Sequence, residues 1–158
     1  MSGQRKTRPL QKTRFLCPRH RQELVRNPEC AQATWVSLLS SARHKLNQRD
    51  WDKAALIYGN VFETAEIIFE QSNCFYDFNR YLESAIEFVY ALRHCSYGAD
   101  FELLIAVVKQ KLKDKFYPSQ VSLLLKPLTD TAFLPLSEIN YPIPKSQPVV
   151  AVNTQTIH

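Results

Sequence analysis

Glycine is almost missing from this chain: Gly3, Gly59 and Gly98 are the only three in 158 residues. Loops that cradle phosphate with bare backbone amides need glycines at close spacing, and turn-dense β architectures need many more, so the count argues against both. Long hydrophobic runs are also missing. The longest uninterrupted one is Leu103 to Val108, far short of the roughly 20 apolar residues that cross a bilayer. A secretory signal would need about 7 to 15 apolar residues behind its basic start, and none follow here. The expectation is a cytoplasmic protein that makes no use of a membrane. In that compartment Cys17, Cys30, Cys74 and Cys95 are expected to remain reduced rather than pair.

Catalytic signatures are equally scarce. No phosphate loop, dinucleotide fingerprint or histidine-glutamate zinc motif occurs, and no glutamate has a histidine three residues later, which removes the di-iron bundle pattern. His94 and Cys95 are adjacent on a predicted helix and diverge by roughly 100°, so they cannot serve as base and nucleophile. Glu63, Glu66 and Glu70 share one helix face and Glu83 and Glu87 another, and both sets read as solvated acids. The chain is therefore expected to be non-enzymatic.

What is present suits one packed domain: 45% hydrophobic and 22% charged residues within 158, close to the average soluble protein. The net charge of +5 is unevenly placed. Residues 1–26 hold eight Lys/Arg against Glu23 alone, and the remainder holds twelve basic against fourteen acidic residues. A basic, partly disordered arm is thus expected over 1–26, ahead of a mildly acidic helical domain over 27–134. Residues 135–158 carry Pro135, Pro142, Pro144 and Pro148 with little periodicity, and read as a Pro-rich flexible tail.

Between the ends, apolar residues recur at helical spacing in four segments, which makes the body all-α. Asn27-Pro28, a cap followed by proline at the first helical position, opens a stripe of Ala31, Trp35, Leu38, Leu39, Ala42 and Leu46. Asp50 opens a second, through Trp51, Ala54, Tyr58, Phe62, Ala65 and Ile68. A third begins near Asp77 and is expected to end at Ser96-Tyr97-Gly98, with the glycine as a left-handed cap. Asp100 leads the fourth, which finishes in Lys109, Lys111, Lys113 and Lys115, where cations complement the helix dipole. A shorter fifth is predicted from Pro118 to about Lys126, stopped by Pro127. Four to five antiparallel helices joined by short loops pack as helical hairpins, in an array or a small bundle.

The stretch from Leu38 to Glu70 resembles the tetratricopeptide repeat, with Ala42 and Ala54 at the small positions, Asp50-Trp51 at the turn and Tyr58 at the large one. Leu38 and Lys45 depart from the pattern, and no second copy follows 34 residues on. The resemblance implies a TPR-like adaptor that holds a protein or peptide partner in a groove between helix hairpins. Asn60, Tyr76, Asn79, Arg80, Tyr90 and Arg93 face away from the apolar stripes and are the candidate partner-binding residues, because asparagine grips peptide backbone and Tyr and Arg are rich in binding hot spots. The aromatics around Phe75 and Tyr76 could also leave a patch that takes a second copy, giving a homodimer.

A different class of reading uses the arm. Arg5, Lys6, Arg8, Lys12, Arg14, Arg19 and Arg21 could contact nucleic-acid phosphates, in a regulator whose helices dimerise. Cys17-Pro-Arg-His20 has the spacing of a zinc-ligand pair, and Cys30 could add a third ligand, so zinc could order the arm. A fourth ligand is missing from the spacing. The same residues could instead be a reactive thiol among arginines, or simply the packing of the leader against the first helix.

Overall fold

A computed structural model describes residues 15–143 except 73 and 97. Among these residues the chain is all-helical, with no strand: α1 (Pro18–Arg26), α2 (Pro28–Asn47), α3 (Trp51–Glu70), α4 (Phe75–His94), α5 (Phe101–Lys113) and α6 (Pro118–Phe133), followed by a 3-10 turn at Leu136–Glu138. No described helix is long and apolar enough to cross a membrane.

Local chemistry sets most of the helix starts. Asn27 Oδ1 accepts the Cys30 amide at 3.2 Å and Asp100 Oδ1 the Leu103 amide at 2.9 Å, each satisfying a first-turn donor. Proline stands in the first turn of α1, α2 and α6, where its fixed φ suits the helix and its missing amide costs nothing. The turn after α2 is a Schellman motif, with the Asp50 amide on the Lys45 carbonyl at 3.0 Å and the Arg49 amide on that of Leu46 at 2.9 Å. Arg49 takes the left-handed position at φ 60°, which usually falls to glycine.

The centre of the body is α3, from Ala54 to Phe69 almost wholly covered. Its antiparallel neighbour α4 meets it through stacked rings, Phe62 on Tyr81 at 5.4 Å and Phe69 on Tyr81 at 5.1 Å. On its other side α3 forms a hairpin with α2, where Ala42 and Ala54 are fully buried and let the backbones approach. Contacts from α2 to α4 pair Gln32 with Arg80, Trp35 with Ser84 and Arg43 with Glu87, so these two helices run parallel, both antiparallel to α3. On the far face of α4 lies α6, buried through Val121, Leu125, Leu128 and Ala132, and α5 packs against α6.

Several boundaries differ from the sequence reading. Among the described residues six helices form rather than four or five, because residues 15–26 fold onto the body: Leu16 and Leu24 join the core and α1 contacts both α2 and α3. Pro127 does not stop α6, which runs through it to Phe133. A proline inside a helix costs about 3 kcal/mol, and here the buried Leu128, Thr131 and Ala132 beyond it hold the last turns. No described glycine has a positive φ, so Gly98 is no left-handed cap. Instead α4 stops at His94, and Asp52 accepts the Ser96 amide at 3.0 Å and its hydroxyl at 2.9 Å. The tail region is described as far as Ile143, which packs on the core.

Candidate functional site

Two buried polar centres flank α3. The first begins at Gly59, where the missing side chain leaves a notch on a helix surface. The Phe15 ring fills it so closely that a Cβ on Gly59 would lie 2.3 Å from Phe15 Cδ1. Glycine in a helix interior costs about 1 kcal/mol relative to alanine, and its use here is to admit that ring. The same ring meets Phe88 edge-on at 5.7 Å.

One turn beyond the notch, Glu63 grips the backbone of the same segment. Its Oε2 accepts the Phe15 amide at 3.1 Å and its Oε1 the Leu16 amide at 2.9 Å. These amides precede a helix and would otherwise be unpartnered. Arg21 of α1 completes the arrangement, 3.8 Å from Glu63 Oε1 and 3.8 Å from Glu66 Oε1. Glu66 also accepts the Tyr81 hydroxyl at 3.4 Å. Burial, and then the nearby Glu66, push the Tyr81 phenol well above its ordinary pKa. Glu63 and Glu66 are 6% and 5% exposed, which corrects the solvated reading for these two, while Glu70 is exposed as expected.

The second centre joins three helices. Glu87 of α4, 2% exposed, takes Arg43 of α2 in bidentate fashion at 3.0 and 2.6 Å and the Tyr58 hydroxyl of α3 at 2.7 Å. Burial opposes the charge on Arg43, but its bonds to Glu87 outweigh that and raise its pKa. Burial and Glu87 drive the Tyr58 phenol up, so it stays a donor. Glu83, one turn before Glu87, is raised by burial and by the negative charge of Glu87. Trp35 Nε1 donates to Ser84 Oγ at 3.0 Å beside this cluster.

The six candidate partner-binding residues fall in three places. Asn60, next to the notch, has its Oδ1 buried with no hydrogen-bond partner. Tyr76 and Asn79 are exposed in the first turns of α4, near a hollow of about 290 Å³ bounded by Phe69, Cys74, Phe75, Phe78 and Phe116. Arg80 is held between the Trp35 and Tyr76 rings at 4.8 and 4.4 Å and is 3.7 Å from Asp77. At the other end of α4, Tyr90 lies edge-on to Tyr141 at 5.7 Å and to Trp51 at 6.4 Å. Arg93 donates to the Thr131 and Leu134 carbonyls, both at 2.8 Å, and so ties down the end of α6. Residues separated by most of a 20-residue helix stand more than 20 Å apart at about 1.5 Å per residue, so the five on α4 are spread along its length and the six do not form one cluster.

Of the basic set, Arg5, Lys6, Arg8, Lys12 and Arg14 lie outside the described residues. Arg19 is exposed, and Arg21 is turned toward the buried acids. Cys17 Sγ is 3.4 Å from His20 Nδ1 and caps α1 through the His20 amide at 3.5 Å. Cys30 instead faces Thr34, with Sγ 4.0 Å from its hydroxyl. Among the described residues no three His, Cys, Asp or Glu side chains are grouped to hold a metal ion, and all four cysteines are free thiols.

Sequence reasoning gave Phe15 and Gly59 no role and read Glu63 as solvated, yet the three meet at one seat. The available signals were a lone glycine inside a strong helical pattern and two acids, Glu63 and Glu66, interleaved with Phe62, Ala65 and Phe69. Compared with known proteins, the chain matches no family model, no curated protein and no solved structure.

Proposed function

We propose that the chain is a non-catalytic helical adaptor that binds a protein or peptide partner between its helix hairpins. The observation that carries this reading is the seating of residues 15 and 16. The body accepts a bent segment by two consecutive main-chain amides on one carboxylate and an aromatic side chain in a notch, and main-chain bonds combined with a side-chain pocket are how peptide-binding surfaces gain affinity and specificity together. The resemblance of Leu38–Glu70 to the tetratricopeptide repeat supports the same reading. So does the use made of the buried titratable groups: Glu63, Glu66, Glu87, Tyr58 and Tyr81 bond to one another, to arginine or to backbone.

The test is a selection of displayed random peptides against the full chain, with each enriched peptide then mapped by amide chemical shifts. Peptides that perturb α3 and its hairpin neighbours are expected. A selection that enriches nothing, or only peptides that perturb the outer face of α5, would overturn the reading. A titration with single-stranded and duplex oligonucleotides across a salt series separates the nucleic-acid alternative, whose binding would weaken steeply with salt.

A further inference from the structure

We propose that residues 15–26 are a displaceable latch lying in the partner site itself, and that the partner is a peptide of the same chemistry. It would present an aromatic and then an aliphatic residue in a bend that turns their two amides to one side, with an arginine at the spacing of Phe15 to Arg21. This rests on the adaptor reading and adds the location of the site, the class of ligand and the means by which it is closed.

Four observations point this way. The contact made by Glu63 is to two consecutive main-chain amides of a bend, which a peptide of another sequence supplies when its backbone bends in the same way. The notch at Gly59 selects a ring, since a side chain there would collide with it. The latch has few anchors for its length: Leu16 and Leu24 are its buried apolar residues, most of α1 is exposed, its ion pairs stand at 3.8 Å, and one further hydrogen bond reaches it, from Gln71 Nε2 to the Val25 carbonyl at 2.9 Å. Only Asn27 separates it from α2, so it can swing away about one residue while the core stays packed. Segments with so few buried contacts open locally far more often than the whole fold does. Once open, the seat offers Glu63 and Glu66 without Arg21, and beside them Asn60 Oδ1, an acceptor with no partner. Two carboxylates that give up Arg21 on opening favour a ligand that brings a cation, as the latch does.

A fluorescent synthetic peptide of residues 12–26, carrying serine in place of Cys17, tests this by anisotropy against the full-length protein. In the native chain the seat is filled and apparent affinity is reduced by the closed fraction. The full-length Phe15→Ala variant should bind the peptide at least tenfold more tightly than the native chain. Adding Gly59→Leu to that variant should remove the gain, and a peptide lacking the aromatic should not bind. Equal binding to the native chain and Phe15→Ala would overturn the latch. No binding to a Phe15→Ala variant that keeps its helical circular dichroism and cooperative melt would overturn the site. If Phe15→Ala does not fold, amide exchange of the native chain decides: excess peptide should accelerate exchange at Leu16 and Leu24 and leave α3 unchanged, and no acceleration counts against the proposal. Dimers of the native chain that the peptide dissociates would replace the partner peptide by a second copy's own segment. Selected peptides that bind α3 and its neighbours away from Gly59 would leave the adaptor reading standing while the latch fails.

Discussion

Glu63 and Glu87 are both carboxylates almost closed off from solvent on the two facing helices of one core, yet different kinds of partner satisfy them. Glu87 is met by side chains, Arg43 and Tyr58, on two long helices that the core already fixes. Glu63 is met by backbone amides of a segment with little else to hold it, helped by one arginine at 3.8 Å. The first arrangement can open only with the fold. The second can open by itself, taking the two amides away from a buried acid and exposing it to another ligand, and this separates a structural ion pair from a recognition site.

The comparison breaks most severely at Arg43. Replacing it by methionine keeps the apolar stem and leaves Glu87 with Tyr58 alone, and breaking a buried pair in this way costs about 3 kcal/mol. For a domain of this size each kcal/mol moves the melting temperature by roughly 2–4 °C, so thermal unfolding of Arg43→Met should fall by about 6–12 °C. Amide exchange should accelerate across α2, α3 and α4 together. Acceleration confined to one helix would mean that Glu87 does not couple the three.

Gly59→Leu comes next and should act locally. Overpacking a core commonly costs about 1–3 kcal/mol, but here the colliding group is a ring on a detachable segment, so the loss is capped by what the latch contributes. Protection should disappear at Leu16 and Leu24 and persist at Tyr58 and Phe88. With Phe15→Ala in place, Gly59→Ala should stabilise by up to about 1 kcal/mol through helix propensity, reversing its sign relative to the native background. A urea-unfolding cycle of the four proteins checks that reversal.

Glu63→Gln is milder. Its carbonyl can still accept one amide, while its NH₂ faces the other and leaves it unpaired at a cost of about 1–2 kcal/mol. Exchange at Phe15 and Leu16 should quicken, with little change in the cooperative melt. A fall as large as that of Arg43→Met would place both carboxylates in one structural network.

The contrast also explains what the sequence could convey. Periodicity located α2, α3 and α4 to within a few residues, because twenty-residue amphipathic helices repeat their signal many times. Ala31, Trp35, Tyr58, Tyr81 and Phe88 are all buried where the stripes put them. The latch carries no such repetition. Only Leu16 and Leu24 are buried among its charges, and its main anchors are a ring whose receptor is an absent side chain and two backbone amides, which every residue has. Pro127 misled for a related reason: local sequence states the cost of a proline in a helix, whereas burial of Leu128 and Ala132 against α4 is a tertiary fact. The six surface candidates rest on facing and residue type, neither of which could foresee that Arg80 and Arg93 are occupied by neighbours distant in the chain.

The smallest effect is expected at Glu83, and it tests whether the Glu87 region is already saturated with negative charge. Burial, and then Glu87, raise the Glu83 carboxyl above the ordinary range, against the opposing pull of Arg43 and Arg80. An acid with a raised folded-state pKa holds more protons in the folded than in the unfolded chain, so its contribution favours folding at low pH and fades as pH rises through that range. Glu83→Gln removes the penalty. Urea unfolding should give equal stabilities for the native chain and the variant near pH 4, and an advantage for the variant of up to about 0.5 kcal/mol at pH 7, small because the site lies at the solvent-screened rim. A variant less stable at pH 7 would mean that Arg43 and Arg80 have charge to spare for a second carboxylate. The centre around Glu87 would then be as open to a further charged group as the seat around Glu63, and the distinction between them would fail.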